Sequence, residues 1–231
     1  MSIFKRLIFR TRKSIYTSIK YGALYNWYAA TDVRNIAGTG WHLATRSEHL
    51  AIGTYLGGNS VAGGKMKETG NTYWITNVGA TNESKYNGKG SGRREGTSGI
   101  FIDLQSKLSI MIDFLDSPTE LWSMSLYKEN ATLAFPLLPK SAGQSIRLMK
   151  DTTTLLNGET GNYIGNDGKV YRTICIGTQE WLADNLNETK YRNGDWINGF
   201  NGGVYTPITN ATWIGLTIEA MCYYNDDVNN G

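Results

Sequence analysis

Residues able to do chemistry are few in this chain, and they are scattered. Cys175 and Cys222 are the two cysteines. A disulfide and a pair of buried free thiols both fit. Cys175 sits between Ile174 and Ile176 as a strand residue would, which favours burial. A zinc site needs more ligands than two cysteines and the distant pair His42 and His49 can bring together. His42 follows Trp41 and reads as a hydrogen-bonded structural histidine. Asn225, Asp226 and Asp227, with Asn229 and Asn230 behind them, could offer oxygens to calcium or form a polar turn. Their spacing is not that of an EF-hand, so no metal is assigned. No G-x-S-x-G, P-loop or H-E-x-x-H pattern occurs. No catalytic residue, no cofactor and no enzymatic role are therefore expected.

Binding residues are easier to nominate. Arg93 and Arg94 lie in NGKGSGRREGTSG, residues 87–99, which reads as an exposed glycine-rich loop. There they could pair with phosphate or carboxylate, or simply be solvated. Trp196, Phe200, Tyr205 and Trp213 could stack on the apolar faces of sugar rings. Aromatic side chains also fill the cores of small sheets, so both readings stay open for these four.

The elements that would position such residues start with residues 21–58. YGALYNWYA is aromatic and uncharged, a glycine loop follows, and WHLA runs into Thr45. Thr45 with Glu48 three residues on is a capping box, so a helix is predicted to start here. Leu50, Ile52, Tyr55 and Leu56 give it an apolar side, and Gly57 and Gly58 end it. Residues 100–114 alternate well enough for two strands, and 121–125, 132–135 and 145–151 read as further strands. Asp167 and Gly168 turn into another strand through Cys175.

The blocks YGALYNWYAA, GWHLATRSEH, TYLGG, AGGKMKETG and GATNES resemble, in that order, the Fibrobacter succinogenes major paralogous domain. The resemblance implies an α+β, C-type-lectin-like fold with short antiparallel strands, one or two helices and long loops, akin to the formylglycine-generating-enzyme group. The paired cysteines of that enzyme group are not matched by Cys175 and Cys222, which argues against an oxidase role. Residues 165–231 resemble the opening of the same domain, whereas 21–151 resemble its later part. The chain therefore looks circularly permuted, with 152–164 as a polar linker and the two parts completing one fold.

Bulk properties agree with a globular protein of 231 residues. Hydrophobic content is 40% and charged content 19%, which excludes a disordered chain. Aromatics at 12% and 27 glycines suit short strands and loops rather than a helix bundle. Residues 1–20 stand apart. Lys5, Arg6, Arg10, Arg12 and Lys13 are joined there by Lys20 with no acid, against a net charge of only +3 for the whole chain. Apolar residues recur between them at helical spacing, which gives a basic amphipathic arm. Docking onto a partner protein, binding a membrane surface or nucleic acid, and packing on its own domain all fit that pattern. Docking onto other virion or surface-assembly proteins is the preferred reading, with no nucleic acid expected.

A secretory signal would need a longer apolar core and a small-residue cleavage site. On these grounds the expected function is that of a structural and binding protein. The first choice is a phage virion component of head or tail fibre type, homo-oligomeric, touching a glycan or host-surface receptor. The alternative is a bacterial cell-surface or secreted adhesin module. Deleting residues 1–20 is expected to leave a folded domain and to abolish attachment to the larger assembly. Circular dichroism and co-sedimentation with the particle check the two halves of that expectation.

Overall fold

The computed structural model describes residues 19–231, so Lys5, Arg6, Arg10, Arg12 and Lys13 lie outside the described residues. The fold is α+β, with mostly antiparallel strands and few helices. In chain order, β1 (Leu24–Tyr25), α1 (Trp27–Ala30), β2 (Trp41–Leu43), α2 (Arg46–Tyr55) and α3 (Asn59–Met66) come first. Next are β3 (Ser91–Arg94), β4 (Phe101–Leu104), β5 (Lys107–Leu115), β6 (Glu120–Tyr127), β7 (Leu133–Ala134), β8 (Leu137–Pro139) and β9 (Leu148–Lys150). The remainder holds β10 (Thr160–Ile164), β11 (Val170–Ile176), β12 (Gln179–Leu182), β13 (Phe200–Asn201), β14 (Val204–Tyr205), α4 (Asn210–Ile214) and β15 (Met221–Cys222).

Local sequence explains most of these. At α2 the Thr45 hydroxyl accepts the Glu48 amide, and the Glu48 carboxylate accepts the Thr45 amide at 2.7 Å. Such a box is worth about 1 kcal/mol. Leu108, Ile110 and Ile112 of β5 face Met124 and Leu126 of β6 in a buried cluster that α2 and α3 cover with Ile52, Ala62 and Met66.

Three expectations change. Residues 87–99 are not an exposed loop: they contain β3, which pairs with β4 and holds Arg94 fully buried. The glycines there serve close approach rather than mobility. A Cβ on Gly92, which sits at φ +65°, would lie 2.5 Å from the Ile102 carbonyl oxygen. Part of the 152–164 linker is structure as well, since β10 pairs with β11 over its full length. The arm boundary also moves. Ile19 is buried in the core and its carbonyl accepts the Lys89 ammonium at 2.8 Å, while the amides of Lys20 and Tyr21 bond to Gly231 and Asn230 at 3.0 Å. A deletion that spares the domain has to stop before Ile19.

The sequence-distant parts of the chain share their sheets. One sheet runs β10-β11-β12-β9-β2, and its β12–β9 contact, Trp181 opposite Met149, joins residues 160–182 to β9 and β2. β1 pairs with β15, Leu24 opposite Cys222 and Tyr25 opposite Met221. A second sheet, β4-β3-β5-β6-β7 with β8 on β6, carries the two longest strands.

Between the parts lies Arg147, fully buried. Its guanidinium donates to the carbonyls of Tyr86 (2.5 Å), Leu182 (3.0 Å) and Asn87 (3.1 Å), and to Asn185 Oδ1 (2.7 Å). It also stacks on the Tyr86 ring at 4.4 Å. Asn185 passes the connection on by donating to the Tyr21 carbonyl at 2.7 Å. Removing the guanidinium would orphan several buried acceptors at once. Arg147→Met is expected to lose about 3–5 kcal/mol in urea unfolding. Arg93→Met, on a partly exposed pair, should lose less than about 1 kcal/mol. Equal losses for the two would overturn this account of Arg147.

Candidate functional site

Phe200 and Tyr205 share one small hairpin, with Trp196 and Tyr223 packed against them. Phe200-Asn201 and Val204-Tyr205 pair across Gly202 and Gly203, a two-residue turn with φ of +57° and +90°. Two positive φ values in a row are what a type I′ hairpin demands, and glycine supplies them. The pairing sets Phe200 against Tyr205 with ring centroids 5.5 Å apart. Trp196 lies nearly parallel to Phe200 (6.1 Å, 13°), and Tyr223 meets Phe200 edge-on (6.2 Å, 84°). Tyr205 is locked in place. Its hydroxyl donates to Asp226 Oδ1 at 2.7 Å and accepts the Tyr223 amide at 3.3 Å. Burial and that carboxylate push its pKa well up.

Trp196, Phe200 and Tyr205 are each half-buried, and Phe200 and Tyr205 pack against the core, so the three rings form a partly exposed shelf. Lys190 bridges to Trp196 through the backbone and holds its ammonium 4.3 Å from the Trp196 ring centroid. Beside the shelf opens a cleft of about 380 Å³, lined by Asn198, Phe200, Asn201, Thr206, Thr209 and Thr212 among others. Flat apolar faces next to amides and hydroxyls suit a ligand with a C–H face and a rim of hydroxyl groups.

Three of the four nominated aromatics thus come together, and the other nominations do not. Trp213 is fully buried, donating from Nε1 to the Ser141 carbonyl at 2.7 Å. Arg94 sits between the Phe101 and Trp213 rings at 4.6 and 4.3 Å. It donates to the carbonyls of Gly99 (2.8 Å) and Ile208 (2.6 Å) and to Asn210 Oδ1 (3.0 Å). Neither residue can meet a ligand at the surface, because together they staple β3 to the α4 segment. Arg93 is half-buried and paired with Glu95 (3.3 Å) and Asp103 (3.4 Å), so it is not poised for phosphate.

Both cysteines are buried free thiols, and burial raises their pKa values, that of Cys222 to about 12. His42 is held between Asp151 (2.6 Å) and Glu48 (3.1 Å), whereas buried His49 takes Thr45 O at 3.0 Å. Asp226 and Asp227 are engaged by Tyr205 and Asn229. No group of three His, Cys, Asp or Glu gathers for a metal among the described residues. The sequence reading missed Lys190, Tyr223 and the polar cleft. An FNGGVY hairpin pattern was legible and would have placed Phe200 and Tyr205 side by side.

The Fibrobacter succinogenes major domain (Fib_succ_major) matches residues 8–150, more than half of the chain. The chain belongs to that family. No curated protein and no solved structure matches it. The matched range of this Fibrobacter succinogenes major domain protein includes the α2 capping box and Arg147, and it begins within the basic arm. The shelf lies outside it.

Under the shelf, the segment leading to Lys190 is anchored by two buried carboxyls. Asp167 accepts the Thr189 amide (3.1 Å) and hydroxyl (3.0 Å) and pairs with Lys169, which holds its pKa below the usual carboxylate range. Glu188 is fully buried and accepts the Asp167 amide at 3.0 Å. Desolvation and the neighbouring Asp167 charge push it up to about 7. A carboxyl raised in this way stabilises the fold below the unfolded value of 4.5, and the contribution is lost as pH rises through about 7. At about 1.4 kcal/mol per unit, the loss amounts to at most about 3 kcal/mol. Glu188→Gln should flatten the stability–pH profile between pH 4.5 and 7. The Asp167 contribution, present above its own range, should survive in that variant. Urea midpoints across pH measure both, and an unchanged slope in the variant would contradict the assignment.

Proposed function

We propose that this protein is a non-enzymatic structural and binding protein with a C-type-lectin-like fold, and that it takes carbohydrate on the Trp196–Phe200–Tyr205 shelf. One observation carries the reading: half-buried rings in mutual contact, Trp196 parallel to Phe200, stand beside a cleft rimmed with amides and hydroxyls. Ring faces take sugar C–H groups, and Asn198, Asn201 and Thr206 are placed to bond to hydroxyls. A non-catalytic role is supported by the raised thiols and by histidines already committed to structural partners.

Residues 165–231 serve as the opening part of the lectin-like domain, after its later part in circular order. Their shared sheet with β9 and β2 supports this. The setting is a phage virion, with the basic residues before Ile19 docking the domain onto its assembly. Recovery of the protein in the outer-membrane fraction of uninfected cells, and not in particles, would replace the virion by a cell-surface adhesin.

An oligosaccharide array tests the shelf directly. Trp196→Ala and Phe200→Ala should each weaken binding at least about tenfold, or roughly 1.4 kcal/mol. Wild-type affinity in both variants would end the carbohydrate reading. Melting temperatures should stay close to wild type for Trp196→Ala, because that ring is only half-buried.

A further inference from the structure

The carbohydrate reading leaves open which sugars fit, and Lys190 bears on that. Several lysines have carboxylate partners: Lys65 with Glu83 at 3.2 Å, Lys150 with Glu180 at 3.1 Å, and Lys169 with Asp167. Lys190 has none among the described residues; its ammonium rests on the Trp196 ring. The acids nearest the shelf in the chain are spoken for. Asp195 accepts from Asn193 at 2.8 Å and faces Arg34 at 3.7 Å, and Asp226 accepts from Tyr205. A positive charge is therefore presented at the edge of a stacking surface with no counter-charge of its own.

An ammonium on a partly exposed ring gains only about 0.5–1 kcal/mol there. A sugar can therefore displace it from the ring face cheaply. A negative substituent on that sugar would then meet the ammonium at the rim, in a contact stronger than a neutral hydrogen bond.

We propose that the shelf selects anionic sugars, the ring stacking on Trp196 and Phe200 while a carboxylate or sulfate ester pairs with Lys190. The proposal rests on the carbohydrate reading. Its test is built so that the two can fail separately.

The probes are uronic- and sialic-acid oligosaccharides, each paired with its carboxyl-reduced neutral form, and sulfated galactans paired with their desulfated forms. Wild-type protein should prefer at least one anionic member over its neutral counterpart by about tenfold or more. That preference should shrink in high salt. Lys190→Gln should bring the ratio to about one, chiefly by loss of affinity for the anionic member. The carboxylated and sulfated arms identify which anion is read.

If neutral forms bind as well as anionic ones, or if the preference survives in Lys190→Gln, the proposal is overturned while the carbohydrate reading stands. If Trp196→Ala binds every probe as wild type does, or if no probe binds, both fall together.

Discussion

A buried guanidinium bonded to backbone carbonyls is the constraint on which this fold depends. Arg147 comes from the segment just before β9, yet its partners are the Tyr86 and Asn87 carbonyls on one side and Leu182 and Asn185 on the other. Tyr86 and Asn87 lie in a long loop, whereas Leu182 ends β12, the strand that pairs with β9. Burial penalises its charged form, as the lowered pKa records. What offsets the penalty is the number of carbonyl dipoles aimed at one group. A long loop (residues 67–90) and the segment after β12 are thereby fixed to the same point, and through Asn185 so is Tyr21.

The same device recurs wherever loops would otherwise be left with unpaired carbonyls. Lys67 is buried and donates to Val78, Tyr127 and Asn130, its ammonium pushed down to about 8 by desolvation. Lys89 ties Ile19 to the loop, and Arg94 ties β3 to the segment before α4. Strands here are short, so ladder hydrogen bonds satisfy only part of the backbone. Loop backbone bonds, amide and indole donors and these side-chain cations satisfy much of the rest. The shelf hairpin is tied to this framework through β15, Tyr205 and the Asn198 carbonyl, which accepts the Met221 amide at 2.8 Å.

Legibility in the sequence followed the range of the interactions. Signals that act within four residues could be read: the Thr45–Glu48 box, the Gly57-Gly58 stop and the burial of Cys175. The two strands expected in 100–114 form, but β5 is buried on both faces from Lys107 to Ile112 rather than alternating. The family resemblance located the order of the blocks. Interactions across the chain could not be read. Glycines 88–92 imitate a flexible loop, and only the approach of the Ile102 backbone shows that they are there for packing. Arg94 and Trp213 each looked like surface binders because their mutual contact spans more than a hundred residues. Three shelf aromatics were nominated for a sound chemical reason, but the sequence could not separate them from Trp213. Their exposure is decided by whether a β-strand or a solvent-facing hairpin lies underneath.

That separation has a physical logic. A larger cleft, of about 410 Å³, lies between Tyr55, Lys65, Glu83 and Cys175, and there Lys65 pairs with Glu83. Arg94 and Lys67 likewise have their donors on backbone carbonyls, so their charges are spent on structure. Lys190 breaks the pattern. Its neighbours Glu188 and Thr189 are fixed by Asp167 and Tyr25, which anchors the backbone rigidly, while the side chain itself has only a ring for company. Several buried cations are spent on backbone carbonyls, whereas half-buried Lys190 stands at the rim of a stacking surface. A fixed backbone under an uncommitted charge is the arrangement that recognition requires, because little ordering remains to be done when a ligand arrives.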